Sequence, residues 1–127
     1  MLRILLVDDE NDALEALEWK LNNYIDNVEV TTCNSPIKAI DIIDEEKPDV
    51  VFLDIQMPEM DGYRMTYEIR KDPNLKDLHV VMHTSLSGSF NEAMVEKVGC
   101  NGFLSKFRPD ELATLIQARI RDLYDKT

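Results

Sequence analysis

The fold is decided by residues 49–62, which read DVVFLDIQMPEMDG. Within this stretch, an apolar run from Val50 to Leu53 lies between Asp49 and Asp54. The run is continuous rather than alternating, which is typical of strands that are covered on both faces. The stretch therefore predicts a buried strand with Asp54 at its carboxyl end.

Further apolar runs of the same kind occur on both sides of this stretch. Three of them are continuous: Ile4 to Val7, Val80 to Met82, and Phe103-Leu104. Residues 28–33 alternate instead, with Val28 and Val30 on one side, which predicts a more marginal strand at the edge of a sheet.

Segments of helical length separate these predicted strands. They are residues 12–24 with Asp12 as a candidate cap, the stretch opened by Ser35-Pro36, residues 62–71, residues 89–98, and the stretch after Arg108-Pro109-Asp110. Tyr24 and Tyr67 fall among the apolar positions at helical spacing. Strand and helix alternate five times, which requires parallel strands with helices on both faces. We expect one α/β domain over residues 1–127, built on a five-stranded parallel sheet.

Composition narrows the possible partners and compartment. The 127 residues contain 14 Lys+Arg and 25 Asp+Glu, a formal net charge of −11. Such a chain repels polyanions, so we expect no direct contact with nucleic acid or an anionic membrane. Cys33 and Cys100 form no C-x-x-C motif and have no nearby pair of histidines, so we expect free thiols. The apolar N-terminal run is too short for a signal peptide. We expect a soluble, cytoplasmic protein with reduced thiols.

Polar residues follow the predicted strands at their carboxyl ends, where open parallel sheets bind ligands. They are Asp8 and Asp9, then Asp54, then Thr84 and Ser85, and finally Lys106. Clustered carboxylates repel one another, and Mg²⁺ relieves this repulsion while keeping waters that a phosphate can replace. With a lysine nearby, the pattern predicts Mg²⁺-dependent acceptance of a phosphoryl group on a carboxylate.

These residues also have other interpretations. Asp8 and Asp9 are also suited to capping a helix, and Thr84-Ser85 could cap the next helix. Asp54 alone could be a turn residue, and Lys106 alone a solvated side chain. A hydrolase of the haloacid dehalogenase type would need Asp-x-Asp after the first strand, and here Asp8-Asp9 stands there. The combination of all these residues at strand ends favours the phosphoacceptor.

The chain resembles the receiver domain of two-component response regulators over essentially its whole length. The matching segments are Leu5 to Glu10, Asp54 to Gly62, Met82 to Ser85, and Gly102 to Lys106. The resemblance implies a flavodoxin-like fold and a histidine kinase as phosphoryl donor. It also implies a protein target or fused effector, and a surface of the fourth helix, fifth strand and last helix that docks partners or forms a homodimer. The domain would catalyse only its own phosphorylation and hydrolysis, without acting on an outside metabolite.

The same resemblance implies a role for each site residue. Asp54 would be the phosphoacceptor, and Asp9 and Asp54 would ligate Mg²⁺ directly. Asp8 would act through a water, and Gln56 through its backbone carbonyl. Thr84 would hydrogen-bond one phosphoryl oxygen, and Lys106 would pair with another. On phosphorylation, Thr84 would move inward and the aromatic residue Phe103 would turn toward the core.

Two residues depart from the usual pattern of the family. Lys106 is followed by Phe107 where the family usually has a proline after a cis bond, so we expect a trans bond here. Phe103 replaces the commoner tyrosine. The departure at Phe107 leaves open a degenerate receiver that serves as a phosphorylation-independent docking module. Residues 83–88 together with Lys106-Phe107 also resemble, more weakly, the receiver half of chemotaxis coupling proteins.

Overall fold

The computed structural model describes residues 1–84, 93 and 97–105. Its elements in chain order are β1 (Leu2–Val7), α1 (Asn11–Tyr24), β2 (Val28–Cys33), α2 (Pro36–Glu46), β3 (Val50–Leu53), α3 (Gly62–Lys71), β4 (His79–Thr84) and β5 (Gly102–Ser105). Most of the predicted helix over residues 89–98, and the whole of the one after Pro109, lie outside the described residues.

The strands form a single parallel sheet in the order β2-β1-β3-β4-β5. The most apolar strand, β3, lies in the centre, and all four of its residues are buried. The alternating strand β2 lies at the edge, as its pattern predicted. This order confirms the α/β, flavodoxin-like architecture.

Helices cover both faces of the sheet. On one face, α1 buries Leu14, Leu17 and Leu21 against alternate strand residues, Phe52 among them. On the other face, α2 and α3 pack against the intervening strand residues, and Ile43 and Met65 are fully buried there. Successive strand residues point to opposite faces, so a continuous apolar run is the pattern that two covered faces require.

Local hydrogen bonds determine which residues cap the helices. Ser35 caps α2 through its side chain, with Pro36 in the first turn, as predicted. The prediction of Asp12 as a cap was wrong, because α1 begins at Asn11 and Asp12 lies within its first turn. The carboxylate of Asp12 still lies near the positive end of the helix dipole.

Two tyrosines assigned to apolar helix faces are exposed instead. Tyr24 is at the end of α1, where its ring packs edge-to-face against the exposed Trp19 with 6.5 Å between centroids. Tyr67 lies on the outer face of α3, close to the cationic groups of Arg64 and Lys71. Within the described residues, no helix is both long and apolar enough to cross a membrane.

Candidate functional site

The acidic site is assembled by the pairing of β1 with β3. Val7 pairs with Leu53 at the carboxyl ends of these adjacent strands. The backbone N–H of Asp54 then donates to the carbonyl of Val7 at 3.0 Å, and that of Asp8 donates to Cys33 at 3.2 Å. The ladder therefore continues one residue beyond each strand, which places Asp8 and Asp54 at the same edge of the sheet.

Four carboxylates meet at this edge. Asp8, Asp9, Glu10 and Asp54 each offer an oxygen, and these four oxygens all lie within 4.8 Å of one another. Asp8 and Asp54 are buried, with 4% and 5% of their surfaces exposed, whereas Asp9 and Glu10 are exposed. Oδ1 of Asp8 also accepts a hydrogen bond of 3.0 Å from the N–H of Glu10. The structure thus brings together the three predicted aspartates.

The donor set suits a hard divalent cation. All four groups offer carboxylate oxygens, with none of the sulfur or nitrogen ligands that softer metals prefer. Two of the carboxylates are buried beside a like charge, an arrangement that a cation relieves. Glu10 was missed as a member of this cluster, although its position directly after Asp8-Asp9 was a visible signal.

The loop after β3 turns sharply and leads directly into α3. Glu59 adopts a left-handed backbone conformation with φ of 71°, and the N–H of Gly62 donates to the carbonyl of Ile55 at 2.9 Å. Asp61 then caps α3 by accepting from the N–H of Arg64 at 2.7 Å. Gln56 lies in this loop with an exposed side chain, and the role of its backbone carbonyl stays a prediction.

The remaining predicted site residues follow the next two strands. Thr84 is the last residue of β4 and pairs with Ser105, the last residue of β5. Because β4 pairs with β3, the backbone of Thr84 is at the same edge of the sheet as Asp54. The side chains of Thr84 and Phe103, and the whole of Lys106, lie outside what the structure describes, so their roles stay predictions.

The far end of α3 carries a polar cluster that the sequence did not reveal. The guanidinium of Arg70 donates four hydrogen bonds: to the carbonyls of Gly99, Lys76 and Leu78 and to Oδ1 of Asn101, at 2.7 to 3.1 Å. Burial lowers the pKa of Arg70, an effect opposed by the nearby Cys100 and Asp77. This cluster ties α3 to the amino ends of β4 and β5, away from the acidic site.

Two free cysteines lie in different surroundings. The thiol of Cys33 is buried and donates to the carbonyl of Ser35 at 3.2 Å. Cys100 is half-buried, and its thiol lies 3.5 Å from Oγ1 of Thr66 on α3. Burial raises the pKa of Cys100, while the hydrogen bond to Thr66 and the charge of Arg70 act in the opposite direction.

Comparison with known proteins identifies the family. The family model described as the response regulator receiver domain matches residues 4–117. The chain belongs to this family. The match confirms the resemblance found in the sequence, and the receiver domain therefore belongs to two-component signalling.

Relatives of this receiver domain include two named regulators. The domain is 35% identical over 122 residues to a probable transcriptional regulator, ycf27, of Guillardia theta, covering 94% of the chain and 45% of that protein. It is 32% identical to response regulator Rre1 of Synechocystis, covering 91% of the chain and 50% of that protein. The chain thus spans about half the length of these two relatives.

A solved structure supports the same assignment. The receiver domain is similar to the chemotaxis protein CheY4 of Vibrio cholerae, with a TM-score of 0.83 and 25% identity. The likeness covers 93% of this chain and 98% of the other.

Proposed function

We propose that this receiver domain accepts a phosphoryl group on the carboxylate of Asp54 in a Mg²⁺-dependent reaction. The observation that carries the proposal is the buried Asp54 carboxylate, at the end of the central strand and within 4.8 Å of the oxygens of Asp8 and Asp9. Among these groups, Asp54 alone directly follows the central strand β3 and belongs to the motif of residues 54–62.

The acidic cluster has the donors that Mg²⁺ requires. Asp9 and Asp54 would bind the cation directly, Asp8 would bind it through a water, and the backbone carbonyl of Gln56 would complete the protein ligands. When bound, Mg²⁺ supplies positive charge that offsets the negative charge of the phosphoryl oxygens.

The chain's own groups would carry out the transfer. An oxygen of Asp54 attacks the phosphorus atom in line, forming the O–P bond while the bond from phosphorus to the donor's leaving group breaks. The Thr84 hydroxyl would donate to one phosphoryl oxygen, and the Lys106 ammonium would pair with another. Water would later hydrolyse the acyl phosphate, and no outside metabolite would be transformed. The rate would depend on Gln56 and Leu86, which lie two positions after Asp54 and Thr84 and would flank the phosphoryl group.

Phosphorylation would change a surface that other proteins bind. In this account, Thr84 moves toward the phosphoryl group, and Phe103 turns inward and alters the surface around β5. A histidine kinase would be the physiological donor in a cytoplasmic signalling pathway. A protein target or a fused effector would receive the signal, and the surface could also form a homodimer.

Two classes of output are compatible with this domain: regulation of transcription and chemotaxis. One sequence relative is named a probable transcriptional regulator, and one similar solved structure is that of a chemotaxis protein. The net charge of −11 supports a domain that does not itself contact DNA. A DNA-binding effector beyond these residues is compatible with this proposal, as is a chemotaxis partner.

The departure at Phe107 favours a second candidate, a docking module that works without phosphorylation.

Incubation with acetyl phosphate and Mg²⁺, followed by intact mass measurement, distinguishes the phosphoacceptor from the docking module. We expect a gain of one phosphoryl group that is lost without Mg²⁺ and in Asp54→Ala, but kept in Asp26→Ala. Asp26 is an exposed control beyond the end of α1. An unmodified wild-type chain would instead support the docking module.

A further inference from the structure

The first residue of α3 is in close contact with the backbone of Asp54. A Cβ at Gly62 would collide with the carbonyl oxygen of Asp54 and lie 3.1 Å from both the carbonyl carbon of Asp54 and Cα of Ile55. Gly62 has a helical conformation that alanine also adopts. Glycine is therefore needed at this position for space, and the opposing atoms are backbone atoms that cannot rotate away.

Hydrogen bonds hold Gly62 in this contact from both sides. Its N–H donates to the carbonyl of Ile55 at 2.9 Å, and its carbonyl accepts from Oγ1 of Thr66 at 2.8 Å. Thr66 is fully buried, one turn further along α3. The start of α3 is thereby fixed against the peptide that joins Asp54 to Ile55.

Asp54 is also held on its opposite side. Its N–H bonds to Val7 of the neighbouring strand at 3.0 Å, and its carboxylate is in a buried position beside Asp8. The Asp54 backbone thus lies between β1 and the start of α3. A group inserted at residue 62 must move either the helix or this peptide, and the peptide carries the carboxylate with it.

We propose that Gly62 is a positioning residue for phosphoryl transfer, which sets the place of the Asp54 carboxylate through backbone contact and is itself held by the hydroxyl of Thr66. This inference rests on the proposed function of Asp54. A displacement of about 1 Å at a reacting group can lower a rate by about 100-fold. The same displacement alters the spacing between Asp54 and the carboxylates of Asp8 and Asp9.

The direct test compares Gly62→Ala with Gly99→Ala. Gly99 has φ of 90°, and a Cβ there would lie 3.4 Å from Nε of Arg70, in the cluster away from the acidic site. Both variants are measured at a temperature where circular dichroism shows complete folding. We expect Gly62→Ala to react with acetyl phosphate at least about tenfold more slowly and to bind Mg²⁺ more weakly by calorimetry. Gly99→Ala should lose stability but keep both values.

A second pair of variants removes the hydroxyl while preserving the shape of the side chain. Thr66→Val should lower the rate and the Mg²⁺ affinity, and Thr66→Ser should restore them because it keeps the donor to Gly62. A purely structural role would change the melting temperature without changing Mg²⁺ affinity in the folded protein. If Gly62→Ala does not fold, this pair decides the question.

The outcomes separate this inference from the proposed function. A wild-type chain that acetyl phosphate does not modify would contradict the proposed function itself. A modified wild-type chain together with a folded Gly62→Ala of equal rate and Mg²⁺ affinity would overturn only the role of Gly62. Equal values for Thr66→Val and Thr66→Ser would overturn it in the same way.

Discussion

The backbone N–H of Asp54 donates a hydrogen bond of 3.0 Å to the carbonyl of Val7, the last residue of the neighbouring strand. This bond extends the β1–β3 ladder one residue past the end of β3. It brings the residues that follow each strand together, so the buried carboxylates of Asp8 and Asp54 belong to one cluster. The position of the site thus follows from strand pairing.

Replacing one buried carboxylate should stabilise the metal-free protein. Asp8→Asn removes a charge from the cluster and keeps an oxygen that can accept from the N–H of Glu10. Relief of repulsion should raise the free energy of unfolding by about 1 kcal/mol without Mg²⁺. The affinity for Mg²⁺ should fall by about 10–100-fold.

Urea unfolding with and without Mg²⁺ measures both effects. The exposed Asp26→Asn is the matched control and should change neither value. If Asp8→Asn lowers stability without Mg²⁺ and leaves Mg²⁺ binding intact, the four carboxylates do not act as a repulsive cation site.

The cap of α3 should contribute more to the free energy of unfolding than the cap of α2. Asp61 accepts from the N–H of Arg64 at 2.7 Å, whereas Ser35 accepts from that of Lys38 at 3.4 Å. A charged acceptor at a helix N-terminus also interacts favourably with the helix dipole. We expect Asp61→Ala to cost about 1–2 kcal/mol and Ser35→Ala about 0.5–1 kcal/mol in denaturant unfolding. The reverse order would show that cap geometry does not set these energies.

The guanidinium of Arg70 should contribute strongly to stability because of its four hydrogen bonds. Arg70→Lys keeps the charge but loses the planar set of donors that reaches three carbonyls and Asn101. We expect a loss of about 2–3 kcal/mol in the free energy of unfolding. The neighbouring Lys71→Met removes only a cation near the ring of Tyr67 and should cost less than about 1 kcal/mol. Equal losses for the two variants would refute this role of Arg70.

Stability should decline at alkaline pH in part through Cys100. Burial raises the pKa of its thiol above the ordinary value of 9.0, so the folded state binds the proton more tightly than the unfolded chain. The stabilisation that results from this tighter proton binding is complete below pH 9.0, and it is lost as the pH rises through the pKa of the folded state. Burial also raises the pKa of Tyr63 above its ordinary 10.0, which acts in the same direction at higher pH.

Cys100→Ser removes this titration and keeps a hydroxyl that can reach Thr66. Its free energy of unfolding should decline less than that of the wild type between about pH 8 and about pH 10, with the remaining decline due to groups such as Tyr63. Urea unfolding at intervals across this range provides the measurement. Identical pH dependences in the two proteins would exclude a raised pKa at Cys100.

Much of the fold was predictable because buried strands leave a simple pattern. Val50 to Leu53 is apolar without interruption since both faces of β3 are covered, and Ser35-Pro36 marks a helix start through local hydrogen bonding. The aspartates of the site were predictable because parallel strands place their carboxyl ends at one edge.

Other features depend on contacts between distant residues and left no periodic signal. Arg70 reaches Gly99 and Asn101 across about thirty positions, and the space lacking at Gly62 is occupied by the backbone of Asp54. Tyr24 and Tyr67 have helical spacing but are exposed, because spacing does not show where the covered face ends. The predicted roles of Thr84, Phe103 and Lys106 need side chains that the structure does not describe.

Locating the phosphoryl group on the chain tests the central claim most directly. The protein is incubated with acetyl phosphate and Mg²⁺, then treated with borohydride, which reduces an aspartyl phosphate to homoserine. Peptide mass spectrometry then identifies the reduced residue. We predict homoserine at position 54 alone and aspartate at positions 8 and 9. Homoserine at another position, with Asp54 unchanged, would contradict the assignment of Asp54 as the phosphoacceptor.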